Sequence, residues 1–353
     1  MTNIDLTRAI VAAFRSDDAK TIRESLSAFT ADDWSHSYGW LDVSGLELYL
    51  FGQLKQLGIV DVLPSEVLHG MERRYADNTV RMAGLFSEFI RVEQAFRQAR
   101  LMYCNVLGFG LAPIAYPETA LRRQMSLDFI ALHSELPLFG EILRDLGYVP
   151  FTTSEQFWEW HPASDVSEEQ ADIYRSLARR SVKMHYPMAD LEGIERAPYE
   201  MLTRRAPHMW NGHTFDAPTP SEHFICLGLR MHGGLGFEWA RLAHLLELKA
   251  AMDSWRHDDA FWDEVVRRGN EHPVRSMAIG SSVLATTKIF GGEIPPALEE
   301  WVATLVDPAI LKWSEKHGWD SLLTEFPGTT LFSLIGVPPP ETSASIHGAE
   351  PSQ

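Results

Sequence analysis

The sequence predicts an α+β protein in which a strand-bearing middle section lies between two helical regions. Three observations lead to this fold class. Before residue 100 and after residue 220, apolar residues recur at the three- and four-residue spacing of amphipathic helices. Between these regions, the short apolar runs at 101–107 and 125–132 have the length of buried strands. Helical stretches on both sides of a group of strands favour an α+β core with helical extensions.

The first hundred residues are predicted to be helical. Short helices are expected over 7–14 and 46–57, and Gly58 suits the end of the second one. A longer helix is expected over 79–100, with Asp77 or Asn78 as its N-cap. Its apolar stripe, which indicates core packing, consists of Val80, Leu85, Phe89, Val92 and Phe96.

The middle section is predicted to form a sheet with helices against it. The strand at 101–107 is followed by a glycine turn at 108–110, and Pro117 ends the next apolar segment. The remaining elements expected here are a strand over 125–132, a helix over 137–146, a hairpin made of 148–153 and 156–160, a helix opened by Ser164 or Ser167, and a strand over 181–186. A mixed sheet is therefore the expected core.

Helices return from Ser221 onward. They are expected over 222–232, 237–252, 261–271, 274–287 and 296–306. The tail after residue 337 is rich in Pro and Ser, a composition typical of disorder. The predicted organisation is an N-terminal helical region (1–100), an α/β core (101–200), a C-terminal helical region (201–336) and a disordered tail (337–353).

Charge limits the classes of partner. The net charge of −17 opposes a phosphate backbone, so nucleic acid is not an expected partner. A small anionic substrate remains compatible with the sequence, because neighbouring arginines can create local positive pockets. These arginine pairs are Arg122-Arg123, Arg179-Arg180 and Arg204-Arg205.

A cytoplasmic protein is expected. Cys104 and Cys226 lie in apolar surroundings, which suits buried thiols in a reducing compartment. The first residues are too polar for a secretory signal, and no uncharged apolar run reaches the length of a membrane span. The sequence contains no G-x-S-x-G and no H-E-x-x-H pattern, so neither a hydrolase elbow nor a zinc-protease helix is predicted.

The most informative motif is the strand that carries Ser126 and Asp128. Alternate residues of a strand face the same side, so these two side chains are expected to lie together. Lys183 and His185 alternate in the same way on the strand over 181–186. The sequence therefore predicts one polar site built from two strands, with the glycine turn at 108–110 beside it.

The order of these motifs resembles a family of bacterial proteins known as uncharacterised nucleotidyltransferases. That family has a strand ending in Leu-Lys-Gly, then Tyr-Pro, Arg-x-x-x-Asp-x-Asp and Gly-Tyr, then a strand with an acidic residue before Leu-His. The similar segments here are Leu107-Gly108-Phe109-Gly110, Tyr116-Pro117, Arg122-x-x-x-Ser126-Leu127-Asp128, Gly147-Tyr148 and Lys183-Met184-His185. In the later helices, His232, Arg241 and Glu247 fall where the family has His, Arg and Asp. The resemblance covers residues 35–300 and implies a nucleotidyltransferase-like fold.

This sequence departs from the family pattern at the metal-binding positions. Phe109 replaces the Lys, Ser126 replaces the first Asp, and Lys183 replaces the later acidic residue. Magnesium needs carboxylate oxygens, so no tightly bound magnesium is expected. Lys183 is predicted to pair with Asp128, since two unit charges about 4 Å apart attract by about 4 kcal/mol at an effective dielectric near 20.

The resemblance implies transfer of a nucleotidyl group from ATP or another nucleoside triphosphate to a small molecule or peptide. The residues predicted to carry the chemistry are Ser126, Asp128, Lys183 and His185. Those predicted to line the phosphate side are Gly108, Phe109, Gly110 and Arg122. Two alternatives stay open: a non-catalytic binding or scaffold protein of a biosynthetic pathway, and metal-independent chemistry by Lys183 and His185.

Overall fold

The computed structural model of the chain describes residues 3–153, 157–163, 180–185, 202–235 and 241–323. Over these ranges it contains twelve α-helices and seven strands, which confirms the predicted α+β class. Five strands form a mixed sheet and two form a separate hairpin. No helix within the described ranges is both long enough and apolar enough to cross a membrane.

Five helices precede the sheet. They are α1 (Ile4–Ala13), α2 (Ala19–Leu26), α3 (Ala31–Ser44), α4 (Glu47–Gln56) and α5 (Ser65–Gln98). The helices predicted over 7–14 and 46–57 are confirmed as α1 and α4, whereas α2 and α3 lie in the region predicted to be helical but were not predicted individually. At the start of α3, Thr30 and Asp33 cap each other's main-chain N–H groups.

The long predicted helix exists, but its predicted start is wrong. α5 begins at Ser65, so neither Asp77 nor Asn78 is an N-cap. Asn78 is buried in the middle of the helix, where its amide donates to the main-chain oxygens of Ala120 (2.6 Å) and Arg122 (3.1 Å). Asn78, which was predicted to start a helix, therefore holds the main chain at 120–122 in place, just before the strand that carries Ser126 and Asp128.

The strands of the five-stranded sheet occur along the chain in the predicted sequence. Its strands are β1 (Tyr103–Asn105), β2 (Ser126–Ala131), β3 (Tyr148–Thr153), β4 (Phe157–Pro162) and β5 (Ser181–His185). Across the sheet the order is β1-β2-β5-β4-β3. β2 and β5 are parallel, and the other neighbours are antiparallel, including the predicted β3–β4 hairpin. β1 is shorter than predicted.

One face of this sheet is apolar and is covered by α5 and α6 (Leu136–Asp145). The Phe96 ring of α5 lies 5.3 Å from Phe129 of β2 and 4.7 Å from Phe139 of α6. The predicted α5 stripe is buried from Leu85 to Phe96, but Val80 is 61% exposed and does not belong to the core. Because the apolar residues of β2, β4 and β5 take this face, the polar residues at alternate positions take the other one.

A second hairpin follows the sheet and was not predicted. It consists of β6 (Arg205–Trp210) and β7 (His213–Pro218), joined by a two-residue loop. Asn211 and Gly212 in this loop have φ angles of 46° and 76°. These values fit the tight turn that Asn-Gly favours between antiparallel strands.

The C-terminal helices agree with prediction where they are described, except for the last one, which was not predicted. They are α7 (Pro220–Leu235), α8 (Leu242–Ser254), α9 (Asp259–Gly269), α10 (Pro273–Phe290), α11 (Glu299–Thr304) and α12 (Pro308–His317). The helix predicted over 296–306 is a 3₁₀ turn at Pro296–Leu298 continued by α11. The predicted helix after Ser164 or Ser167 and the predicted tail at 337–353 lie outside the described residues.

Both cysteines lie in the interior of this arrangement. Cys104 of β1 is buried, and Cys226 of α7 is partly buried. Burial raises the pKa of each thiol, to about 12 for Cys226. Such thiols are protonated at neutral pH and are poor nucleophiles.

Candidate active site on the sheet

The polar face of the sheet brings the predicted residues together. In the parallel β2–β5 pair, Ser126 lies opposite Ser181 and Asp128 lies opposite Lys183. His185 follows two residues after Lys183 and therefore faces the same side. The prediction that two adjacent strands unite positions 126, 128, 183 and 185 is confirmed.

Asp128 is the centre of this group. Its Oδ2 accepts a hydrogen bond from Ser126 Oγ (2.7 Å), and its Oδ1 lies 2.9 Å from His185 Nε2. Burial alone would raise the pKa of Asp128, but the hydrogen bond and charge of His185, the Ser126 hydroxyl and the charge of Arg230 outweigh it and lower the pKa to about 2. Since Asp128 is ionised, His185 Nε2 carries the proton of their hydrogen bond. Within the described residues, His185 Nδ1 has no partner.

Lys183 pairs with a different carboxylate from the one predicted. Its Nζ lies 3.6 Å from Glu159 Oε2 of β4, and 5.2 Å from the centre of the Phe157 ring. The predicted Asp128–Lys183 ion pair is therefore wrong. The reason is the sheet order: Lys183 stands between β2 and β4, and its register partner on β4 is Glu159.

Glu159 is a site residue that the sequence analysis missed. Besides Lys183, it contacts His161 Nε2 through Oε1 at 3.0 Å. Burial would raise the pKa of Glu159, but the His161 hydrogen bond and the Lys183 charge outweigh burial and lower the pKa. The alternation of residues 157, 159 and 161 was the signal available in the sequence, because it places Glu159 and His161 on one face of the strand.

The loop at 108–110 is built into the core. All three of its residues are buried, and the Phe109 ring packs 4.9 Å from Phe86 and 5.4 Å from Phe89. The structure therefore corrects the expectation that Phe109 lines the phosphate side, since its side chain fills the apolar cluster under the sheet. Its size and hydrophobicity explain this placement.

The two glycines of this loop permit close packing next to Asp128. A side chain at Gly108, whose φ is +44°, would collide with the Gln124 amide. The Gly110 N–H donates to Asn105 Oδ1 at 3.1 Å, and Asn105 Nδ2 donates to the main-chain oxygen of Asp128 at 2.9 Å. The loop, which was predicted to line the phosphate side through Gly108 and Gly110, thus holds β2 in position.

Comparison with known proteins identifies the family of this chain. A family model described as an uncharacterised nucleotidyltransferase matches residues 30–288, which include all five strands of the sheet. The chain belongs to this nucleotidyltransferase family. No protein with a curated description matches the chain.

The donor set of this nucleotidyltransferase-like site does not fit a divalent ion. Both oxygens of Asp128 and both oxygens of Glu159 already have hydrogen-bonding or charged partners, and the Lys183 ammonium lies 3.6 Å from Glu159 Oε2. Within the described part of the chain, no three His, Cys, Asp or Glu side chains are grouped as metal ligands. A hard cation would need additional carboxylate oxygens here.

Restoring the acidic pattern should therefore create magnesium dependence. In the double variant S126D/K183E, two carboxylates would lie on β2 and one on β5, beside Glu159. We expect magnesium to tighten ATP binding about 10-fold or more in this variant and less than about 2-fold in the wild type, measured by isothermal titration calorimetry. K183Q, which removes the ammonium without adding a ligand, is the control. A double variant indifferent to magnesium would contradict this account of the site.

Arg122 has a structural role in the chain. It is buried, its Nε donates to Glu247 Oε1 of α8 at 2.7 Å, and Tyr49 Oη donates to the same oxygen at 3.0 Å. Burial would lower the pKa of Arg122, but the Glu247 charge outweighs it and raises the pKa. The guanidinium that was expected to grip a ligand thus lies in a buried ion pair with Glu247.

The other predicted arginine pairs are also engaged with carboxylates. The ion pairs are Arg123–Asp42 (3.1 Å), Arg180–Glu88 (3.4 Å), Arg204–Glu222 (3.0 Å) and Arg205–Asp216 (2.9 Å). Arg179 lies outside the described residues. The positive pockets expected at these pairs are thus neutralised locally.

The contacts of Asp128 predict a loss of stability in acid. Its folded pKa of about 2 lies below the ordinary 3.8, so the folded chain binds this proton less readily than the unfolded chain does. The resulting contribution to the free energy of unfolding, about 2 kcal/mol, is present above pH ~4 and is lost as the pH falls toward 2. Unfolding of the wild type and of Asp128→Asn should be compared across this range. The difference in free energy of unfolding between the wild type and Asp128→Asn should become smaller as the pH falls. A difference that stays constant would contradict the low pKa of Asp128.

Proposed function

We propose that this chain binds a nucleoside triphosphate against the polar face of the sheet and transfers its nucleotidyl group to a small molecule or peptide. Cationic side chains would take the place of a tightly held divalent ion. The observation that carries the proposal is the parallel pairing of β2 and β5, which sets Asp128, Lys183 and His185 side by side. Membership of the nucleotidyltransferase family supports the reaction class.

His185 is the proposed general base. The acceptor oxygen attacks the α-phosphorus, a new P–O bond forms, and pyrophosphate leaves with the electrons of the broken P–O bond. The proton of the acceptor hydroxyl passes to His185 Nδ1, while Nε2–H stays hydrogen-bonded to Asp128. An ionised Asp128 both orients the ring and stabilises the imidazolium, and Ser126 holds the carboxylate in place.

Lys183 is the proposed charge partner of the phosphates. Its side chain is 30% exposed on the polar face, so an anion can approach its ammonium. Phosphoryl-group transfer depends on positioning and on neutralising charge at the phosphate oxygens, and a lysine supplies a point charge for this purpose. In the free protein the ammonium is paired with Glu159 at 3.6 Å.

Label transfer tests the proposal. The protein is incubated with ATP labelled at the α-phosphate and with a small-molecule and peptide extract of cells, in EDTA and in magnesium. We expect the label to appear in a product other than AMP, with pyrophosphate released in equal amount, in both conditions. Transfer that occurs only with magnesium would contradict the metal-independent form of the proposal.

A non-catalytic binding protein is the second candidate. It is favoured by the burial of Phe109 and Arg122, two family motif positions that serve packing and ion pairing here. Such a protein would hold ATP in the same cleft without releasing pyrophosphate. ATP binding without label transfer to any component of the extract would favour this candidate over the enzyme.

A further inference from the structure

The polar face of the sheet carries a second histidine, His161, to which the proposed chemistry gives no role. His161 lies two residues after Glu159 on β4, so the two side chains share one face of the strand. Glu159 contacts two basic groups at once: its Oε1 lies 3.0 Å from His161 Nε2, and its Oε2 lies 3.6 Å from Lys183 Nζ. His161 and Lys183 are therefore coupled through one shared carboxylate.

The surroundings of His161 suit a positively charged ring. The imidazole stacks on the ring of Phe151 of β3, with centroids 3.9 Å apart and planes 11° apart. His161 is 5% exposed and Phe151 is 56% exposed, so the stack places the phenyl ring on the solvent side of the imidazole. The charged groups that face His161 from the described strands are Glu159 on β4 and Lys183 on β5, and β3 carries none. An aromatic face within about 6 Å attracts a cation, so the stack favours the imidazolium.

The charge balance around Glu159 changes if Lys183 turns to a phosphate. Burial would raise the pKa of Glu159, but the His161 hydrogen bond, the Lys183 charge and the Ser181 hydroxyl outweigh burial, so the carboxylate is ionised. The Glu159 side chain is only 16% exposed. Without the ammonium, it would be a poorly hydrated anion close to the negative phosphates, and such a group needs a new counter-charge. His161 can supply one, because its Nε2–H already donates to Glu159 and its Nδ1 can accept a proton.

We propose that His161 is a positioning residue for Lys183 and takes up a proton when the ammonium leaves Glu159 for the phosphates of the bound nucleotide; this inference rests on the proposed function. The proton passes from solvent to Nδ1, and an imidazolium–Glu159 pair replaces the Lys183–Glu159 pair. The ammonium then serves the phosphates without leaving an unpaired carboxylate beside them. Because the complex binds one more proton than the free protein does, nucleotide affinity rises as the pH falls through the range in which His161 titrates.

Calorimetric titration of ATP into the full-length protein in EDTA, in buffers of different ionisation enthalpy, counts the protons taken up on binding. At pH 7, we expect the wild type to take up about half a proton more than His161→Gln, whose amide still donates to Glu159 but cannot accept a proton. By linkage, the ratio of the wild-type affinity to the variant affinity should fall about 10-fold between pH 6 and pH 8. The difference between the two proteins is the decisive quantity, because the ATP phosphates and His185 can exchange protons in both.

Two further variants identify the partner of the proton. Glu159→Gln should also abolish the extra uptake, because an amide gives the imidazolium no negative partner. His36→Gln is the matched control: it makes the same change in a histidine–carboxylate pair of α3, where His36 lies 3.5 Å from Asp32, and should take up as many protons as the wild type. Extra uptake that survives Glu159→Gln would overturn the inference.

The proton count separates this role from a structural one and from the proposed function itself. If the wild type and His161→Gln bind ATP with the same proton count, the role of His161 is overturned and the proposed function stands. If the wild type binds no ATP in EDTA, both proposals fail. A variant that binds ATP more weakly by the same factor at every pH, or that unfolds at a lower temperature with an unchanged proton count, would assign His161 a structural role and overturn the inference.

Discussion

Replacing His185 with glutamine should reduce nucleotidyl transfer by about 100-fold or more, the usual loss for a general base, while ATP affinity changes little. A glutamine amide can still donate to Asp128 but cannot accept a proton, so the carboxylate keeps a donor and the base is lost. Label transfer at saturating acceptor, with ATP affinity measured separately, checks this expectation.

Two further variants show whether the loss of transfer is specific to the Asp128–His185 pair. Asp128→Asn should also reduce transfer, because an amide in place of the carboxylate removes the charge that fixes the tautomer and stabilises the imidazolium. His36→Gln removes an exposed histidine of α3 and should have no effect. Transfer that survives His185→Gln unchanged would remove His185 from the reaction and leave the metal-independent chemistry without a base.

Replacing Glu247 with leucine should lower the free energy of unfolding by about 3–5 kcal/mol, the cost of leaving one member of a buried ion pair alone. The Arg122 guanidinium would remain buried without its carboxylate, and the Tyr49 hydroxyl would lose its acceptor. Urea denaturation with a common m-value measures this change.

The double variant R122L/E247L should recover most of that loss, because two apolar side chains can replace a buried ion pair without leaving a charge alone. Glu24→Leu, which breaks the exposed Lys20–Glu24 pair on α2, should cost less than about 1 kcal/mol. A Glu247→Leu variant as stable as the wild type would mean that Arg122 finds another partner and is available to a ligand.

The central sheet could be predicted because each strand shows its own alternation of polar and apolar residues. β2 and β5 each carry polar residues at alternate positions, and burial of the apolar residues between them turns both polar sets to the same face of the sheet. The apolar stripe of α5 likewise indicated a buried helix, and only its exposed end at Val80 and its unrecognised start at Ser65 were misjudged.

The partners of the charged residues could not be predicted, because they depend on contacts between distant segments. Arg122 meets Glu247 across 125 residues of sequence, and Lys183 meets Glu159 only because β4 lies beside β5 in the sheet. The β6–β7 hairpin is a different case: Asn211-Gly212 is a strong local turn signal that the sequence analysis did not use.

The most direct test of the account is the titration of ATP into the wild-type protein in EDTA. We predict binding of ATP without a divalent ion, with little change when magnesium is added. No binding in EDTA together with tight binding in magnesium would contradict the claim that side-chain cations have taken over the role of the metal.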